Sequence, residues 1–188
     1  MKSLSLTFLL AVSALVVAIP LASDPVICQG ELITLSETFI GKNNDVKMEY
    51  TSCKGTQVHQ KKSALFEARQ ANATNVCGAN CNTNCFTPSG GGPDPNECHV
   101  IADALRFASE NTGAIFPIPT GANATIVMSY RSCRSFFVNQ DLGPLAYCRT
   151  DWADLIDFIA PNCQSTQNAH GGNCVATDQR WFVQVQHS

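Results

Sequence analysis

The chain has 188 residues and carries 15 acidic against 12 basic side chains, which gives a formal net charge of −3. This balance argues against binding to nucleic acid or to an anionic membrane surface. The length suits one domain, or two small domains that need covalent cross-links because neither buries enough apolar surface alone.

Residues 1–22 are typical of a signal peptide. Lys2 provides a positive amino-terminal region, and the apolar segment from Leu4 to Ala18 is shorter than a membrane-spanning helix. An uncleaved anchor helix is the alternative, which the short apolar segment disfavours. Cleavage is expected between positions 18 and 23 and would change the formal charge from −3 to −4, because Lys2 is lost. The sequence therefore predicts a secreted, extracellular protein without stable membrane insertion.

Ten cysteines follow this segment, and an even number in an oxidising compartment predicts disulfides. Five disulfides are expected, and the sequence leaves their pairing open. The cysteines are Cys28, Cys53, Cys77, Cys81, Cys85, Cys98, Cys133, Cys148, Cys163 and Cys174. Two Asn-x-Thr triplets also predict N-glycosylation at Asn72 and Asn123.

In chain order, residues 32–40 and 46–51 alternate like two strands of a hairpin, with a turn at 41–44 between them. Apolar residues at helical spacing predict a short helix over 61–71. The next feature is a run of three cysteines spaced four apart. Its Asn, Thr and Gly neighbours favour a knotted loop over a helix. The run consists of Cys77, Cys81 and Cys85.

A Gly/Pro linker at 89–93 divides the chain into an N-terminal cysteine-rich half, residues 23–88, and a C-terminal half, residues 94–188. A helix is predicted to begin beside this linker. Asp94 is a suitable N-cap, and Pro95 occupies the first helical position. The sequence therefore predicts two halves joined at a helix start.

The rest of the C-terminal half alternates between strands and one helix. Strands are predicted over 124–130 and 136–138, and a closing strand over 181–185. Between them, Asp151 heads a helix with one apolar face, which Pro161 is expected to stop. Separate runs of strands and helices predict the α+β class.

A short motif recurs in the two halves. Met48-Glu-Tyr-Thr-Ser-Cys53 resembles Met128-Ser-Tyr-Arg-Ser-Cys133, and cysteines follow each copy in a similar order. Two related halves formed by duplication would explain this pattern. A chance match is the alternative. Duplication predicts matching disulfides within the two halves.

Few residues suggest chemistry. His99 and Asp103, four positions apart on the predicted helix, would form either an imidazole–carboxylate pair for general-base catalysis or a surface ion pair. Asp151, Asp154 and Asp157 suggest either glycosidase carboxylates or the polar first turns of a helix. In both cases the second interpretation is preferred. No nucleophile or metal-binding motif is present, so we expect no catalytic residue, no metal and no cofactor.

Three arginines lie beside cysteines in the C-terminal half. Arg131 and Arg134 flank Cys133, and Arg149 follows Cys148. A Cys133–Cys148 disulfide would bring the three guanidinium groups together as an anion-binding patch. The preferred alternative is that the arginines are separate and exposed, and pair locally with Asp141 or Asp151.

The C-terminal half carries a loose set of family motifs. They are Asn96-Glu-Cys98-His-Val-Ile-Ala-Asp-Ala-Leu105, Ser132-Cys133 before an aromatic strand, a helix ending at Cys163, and Gly171-Gly172-x-Cys174 before Trp181-Phe-Val-Gln-Val. Together they resemble the fungal cysteine-rich necrosis-inducing effectors homologous to fungal extracellular protein two. The likeness to the α/β-sandwich killer toxins of smut fungi is more distant. The resemblance covers residues 94–188 and implies an antiparallel sheet with helices on one face.

The same resemblance implies a protein that acts on a host or a competitor. The leading hypothesis is a non-catalytic, effector-like or toxin-like protein that binds an extracellular protein, a glycan or another cell-surface target. Two alternatives are a small secreted hydrolase that acts on cell walls, and a structural or inhibitory extracellular protein.

Overall fold

The computed structural model describes residues 31–53, 72–87, 90–121 and 125–188. The predicted signal peptide and the helix expected over 61–71 lie outside the described residues, as do Cys28 and Asn123. Within the described residues the chain forms ten strands and two α-helices. The predicted α+β class is therefore confirmed.

Seven strands form one antiparallel sheet. In chain order they are β1 Leu32–Ile40, β2 Val46–Cys53, β4 Cys81–Cys85, β6 Thr125–Tyr130, β7 Cys133–Asn139, β9 Gly171–Ala176 and β10 Trp181–His187. Their order across the sheet is β1-β2-β6-β7-β10-β9-β4. The hairpin predicted at the start of the chain is confirmed as β1 and β2, which pair along most of their length.

Three shorter strands form a second sheet, β3 Thr74–Asn75, β5 Ile115–Ile118 and β8 Leu145–Cys148. The prediction of a knotted loop around the cysteine run is wrong for its second part, because these residues form β4, which pairs with β9 at the edge of the described sheet. Asn and Thr give this segment little tendency to form a strand by itself. Disulfides at both of its ends hold it against the rest of the protein.

The helices are α1, Pro95–Thr112, and α2, Arg149–Asn162. At the start of α1 the Asp94 side chain accepts a 2.8 Å hydrogen bond from the Asn96 backbone N–H, as expected for an N-cap. Pro161 does not stop α2 but lies inside its last turn. α1 contacts β6 and β7, and α2 contacts β9 and β10. Neither described helix is long and apolar enough to cross a membrane.

Aromatic rings fill the centre of the core. Trp152 of α2 stacks on Phe116 with ring centroids 5.7 Å apart, and it meets the edge of Phe137 at the same distance. Phe137 in turn stacks on Trp181 at 5.5 Å. The Trp152 indole N–H donates a 2.9 Å hydrogen bond to Ser135 Oγ. The helix and the sheet are therefore joined by both packing and a buried polar contact.

Disulfides connect parts of the chain that are distant in sequence. Cys98–Cys133 joins α1 to β7. The other described pairs, Cys77–Cys148, Cys81–Cys174 and Cys85–Cys163, join residues of the predicted N-terminal half to the C-terminal half. Cys53 is disulfide-bonded as well. This connectivity gives the duplication no support, and the division into two halves stays a prediction.

Candidate functional site

Five charged side chains meet where α1 and α2 lie side by side. We name them the helix charge cluster: His99, Asp103 and Arg106 from α1, and Asp154 and Asp157 from α2. Arg106 Nη2 lies 2.8 Å from Asp154 Oδ1 and 2.7 Å from Asp157 Oδ2. One guanidinium therefore joins the two helices.

His99 has a carboxylate beside each ring nitrogen. Its Nδ1 is 2.8 Å from Asp157 Oδ1, and its Nε2 is 3.5 Å from Asp103 Oδ2. The hydrogen bond with Asp157 raises the pKa of the imidazole above its usual value. An imidazole that favours its protonated form and has both nitrogens occupied is poorly suited to take a proton from a substrate. The geometry therefore favours an ion pair over a general base.

The three aspartates of α2 do not form one group. Asp154 and Asp157 converge on Arg106, whereas Asp151 Oδ2 accepts a 2.6 Å hydrogen bond from the Gly78 backbone N–H. Glycoside hydrolysis needs one of its two carboxyl groups as a proton donor. Arg106 donates a hydrogen bond to each of the two converging groups, and Asp157 also pairs with His99. The two carboxyl groups are therefore engaged by side chains of α1 and do not face each other across an open groove, as this reaction needs.

We expect the helix charge cluster to make stability depend on pH. Because the pKa of His99 is raised on folding, its stabilising contribution is complete below the unfolded pKa of about 6.5. The contribution is lost as pH rises through the folded pKa. The effect is expected to be small, because the His99 side chain is 57% exposed and solvent screens its partners. Thermal unfolding measured from about pH 5 to about pH 8 tests this.

The control for this measurement is His99→Gln, which keeps a polar side chain but cannot titrate. The wild-type protein should lose more stability than this variant across the upper part of the pH range. Identical pH profiles would contradict a stabilising role for the protonated imidazole.

The predicted arginine patch depended on a Cys133–Cys148 disulfide, and this predicted pairing is wrong. Cys133 bonds to Cys98, and Cys148 bonds to Cys77. The expected Cys133–Cys148 link therefore does not gather Arg131, Arg134 and Arg149. Each of the three has its own set of contacts.

Arg149 is bound at the end of α1. Its Nη1 donates hydrogen bonds to the backbone carbonyls of Gly113 and Ile115, and its guanidinium lies 5.0 Å from the centre of the Phe116 ring. Burial lowers the pKa of this arginine. The contacts are typical of a structural role, since the guanidinium satisfies the carbonyls of Gly113, just past the end of α1, and of Ile115, the first residue of β5.

Arg131 lies in the β6–β7 turn, and Arg134 is the second residue of β7. Arg131 Nη1 is 3.7 Å from Glu97 Oε1, and Arg134 lies 5.0 Å above the Phe136 ring. Among the described residues neither forms an ion pair with an aspartate. The Arg134 Nε atom is buried and has no hydrogen-bond partner in the part of the chain that the structure describes.

Strand β2 carries a buried carboxylate. Glu49 is 8% exposed, its Oε1 is 3.0 Å from Lys47 Nζ, and it accepts a 2.9 Å hydrogen bond from Thr34 Oγ1. Burial raises the pKa of Glu49, but the hydrogen bonds outweigh burial, so the net shift is downward. Glu49 is therefore held as an ion and pairs β1 with β2.

A row of uncharged side chains crosses four strands of the large sheet. Phe136 of β7 lies opposite Gln184, Gln184 opposite Asn173, and Asn173 opposite Asn84 of β4. Directly opposite residues point to the same side of an antiparallel sheet. We name these four residues the amide row and their side of the sheet the Phe136 face. Asn84 Nδ2 donates a 3.5 Å hydrogen bond to Asn173 Oδ1 within the row.

A second row lies beside the first on the Phe136 face. Phe182 is two positions from Gln184 in β10, and it lies opposite Val138 and Val175. All the members of both rows keep part of their surface exposed. The Phe136 face therefore combines amide groups with apolar and aromatic surface, without a charge in either row.

Arg106 and the amide row were not predicted from the sequence. Arg106 had a local signal, because it lies three positions after Asp103 on a polar helix face. Gln184 alternates with Val183 and Val185, which indicates a polar strand face. That signal does not reveal which strands lie on either side.

Cys77, Cys148 and Asp151 lie close enough together to suggest three metal ligands. The two sulfur atoms are joined in a disulfide, so neither is the thiolate that a metal would require.

Comparison with known proteins gives no family assignment, since no protein-family model matches the chain and no curated protein matches it.

Proposed function

We propose that the chain is a secreted, non-catalytic, effector-like or toxin-like protein that binds a neutral polysaccharide on the surface of a host or competitor cell. The observation that carries the proposal is the amide row, with the Phe182 row beside it. Within the described residues, the helix charge cluster is the main alternative centre for chemistry, and its groups are paired with one another.

The chemistry of the amide row suits sugars. Each amide offers both hydrogen-bond donors and an acceptor, which matches the hydroxyl groups of a neutral polysaccharide. Phe182 adds flat apolar area for the carbon–hydrogen faces of sugar rings, whereas one face of the Phe136 ring is covered by the Arg134 guanidinium. Four neighbouring strands separate the ends of the row by three strand spacings, or about 14 Å. A linear chain of sugars is the ligand whose shape fits this arrangement.

We place both helices on the side of the sheet opposite the Phe136 face, so that neither of the described helices covers the amide row. Two contacts support this placement, since Trp152 of α2 donates to Ser135 and Cys98 of α1 bonds to Cys133. Ser135 and Cys133 alternate with Phe136 along β7, so they point away from the proposed ligand. Disulfides at both ends of β4 would keep the surface rigid and reduce the entropy lost on binding.

Secretion is part of the same proposal. Every described cysteine is disulfide-bonded, as is usual for proteins of oxidising compartments. Asn72 is exposed, so its side chain is accessible for glycosylation.

A wall-acting hydrolase is the second candidate, because Asp154 and Asp157 do converge. Arg106 between them argues against this function, as described above. The two candidates differ in a direct measurement, since a hydrolase releases soluble sugars from wall polysaccharide and a binding protein does not.

The test is binding of the purified, oxidised protein to insoluble plant and fungal wall polysaccharides. We expect sedimentation with at least one uncharged polymer and no release of soluble sugar. Replacing Asn173 and Gln184 together by alanine should weaken binding at least about tenfold, or about 1.4 kcal/mol, because it removes the centre of the amide row. Chemical reduction should abolish binding and any effect on plant or fungal cells.

The matched control is Asn111→Ala, which removes an exposed amide on α1, away from the Phe136 face. It should bind like the wild-type protein. Equal binding by the double variant, or no binding to any uncharged polymer, would overturn the proposed ligand. Release of soluble sugars would favour the hydrolase.

A further inference from the structure

Strand β1 is an exposed edge of the large sheet. Within the described residues it pairs with β2 alone. Leu32 and Ile33 are each 40% exposed, and Phe39 is 50% exposed. Natural edge strands are commonly protected by charged side chains, proline, bulges or short length. β1 has nine residues and contains neither lysine nor proline, and its protective features are one charged side chain, Glu37, and one bulge.

A bulge changes which residues of β1 share a face. Thr34 lies opposite Thr51 and Ser36 opposite Tyr50, so Leu35 is an extra residue without its own partner. One extra residue shifts the alternation of side chains by one position. As a result, a residue before the bulge shares a face with a residue after it when their positions differ by an odd number rather than an even one.

The face of each β1 residue follows from its partner in β2. The residues opposite Leu32, Thr34, Glu37 and Phe39 are Cys53, Thr51, Glu49 and Lys47. These partners are every second residue of β2, so they lie on one face. The four β1 residues therefore share a face, and Ile33 and Thr38 lie on the other.

This arrangement makes β1 complementary to itself. If two copies lie antiparallel about a twofold axis between Leu35 and Ser36, Leu32 of each copy faces Phe39 of the other. The same register sets Ile33 opposite Thr38. In both pairs the two residues occupy the same face, as antiparallel pairing requires.

The charges also fit this register. Thr34 of one copy faces Glu37 of the other, so the two glutamates do not oppose each other. Glu37 already pairs with Lys47 of its own chain, with Nζ and Oε2 3.3 Å apart. A pairing without opposed like charges is favourable at a symmetric interface.

We infer that the protein forms a homodimer in which the β1 strands of two copies pair antiparallel. The seven strands of each copy then continue into one sheet of fourteen across the twofold axis. Backbone hydrogen bonds join the edges, and the Leu32–Phe39 pairs at both ends of the contact bury apolar surface that the monomer exposes.

The experiment measures the mass of the secreted, oxidised protein by sedimentation and by light scattering across a dilution series. The wild-type protein should be a dimer that dissociates on dilution. Combining Leu32→Lys with Phe39→Lys should give a monomer, because like charges then face each other across the axis. Combining Leu32→Lys with Phe39→Glu should restore the dimer, because opposite charges then face each other.

The control is Leu142→Lys, which makes the same kind of change at a loop residue that is 91% exposed. It should remain dimeric, and all variants should keep the far-ultraviolet circular dichroism of the wild type. A monomeric wild-type protein would overturn the inference, even if an extended segment of another protein were found to bind β1. Failure of the opposite-charge variant to dimerise would equally overturn it, since the register would then be wrong.

Discussion

Replacement of Trp152 by alanine is expected to lower the free energy of unfolding by about 4 kcal/mol. Trp152 is among the largest fully buried side chains, and its ring contacts Phe116 and Phe137 at centroid distances of 5.7 Å. The change would leave a cavity between α2 and the sheet. It would also leave the Ser135 hydroxyl without its 2.9 Å contact to the indole N–H. Denaturant unfolding of the oxidised protein measures the loss.

The matched control is Phe158→Ala, which removes an aromatic ring from the same helix at a position that is 52% exposed. This loss should stay within about 0.5 kcal/mol, because little apolar surface leaves the core. Ser135→Ala separates the polar contribution, since it leaves a buried N–H unsatisfied at a cost of about 1–3 kcal/mol. A Trp152→Ala loss no larger than that of Phe158→Ala would contradict the central position assigned to this residue.

Local signals explain which elements were predictable. α1 could be predicted because Asp94 caps it, Pro95 fits its first turn, and its apolar stripe recurs at helical spacing. The first hairpin was equally clear from its alternation and turn. The stop expected at Pro161 differs from the observed end of α2 at Asn162 by one residue, and local signals locate a helix end only to within one or two residues.

The candidate sites depend on contacts between distant residues. His99 and Asp157 are 58 positions apart, and only the packing of α1 against α2 brings them together. The amide row depends on strand order, which places β4 beside β9 across a large separation in sequence. Periodicity indicates which side of a strand is polar, but it does not indicate the neighbouring strand. For the same reason the disulfide pairing stayed open at the sequence level.

The Gly171-Gly172 motif quoted for the family resemblance has a physical explanation in the structure. A Cβ atom at Gly172 would lie 2.7 Å from Cys163 Sγ and 2.7 Å from the Asn84 backbone oxygen. Both neighbours are fixed, because Cys163 is bonded to Cys85 and Asn84 belongs to β4. The glycine therefore allows the disulfide, β4 and β9 to lie close together.

Gly172→Ala is accordingly expected to lower the free energy of unfolding by about 3 kcal/mol, because the added methyl group has no space. Peptide mapping should also show less Cys85–Cys163 disulfide in the secreted protein. The control is Gly143→Ala, whose added Cβ would meet no atom within 4 Å, so its effect should be small.

A double-mutant cycle identifies the cause of the Gly172→Ala loss. If the sulfur atom is a principal obstacle, the same substitution should cost less in a protein that also carries Cys85→Ala and Cys163→Ala, because the disulfide is then absent. The remaining cost would reflect the contact with the Asn84 backbone oxygen. An equal cost in both backgrounds would show that the disulfide does not require glycine at this position. The close approach of β4 to β9 would then explain the residue by itself.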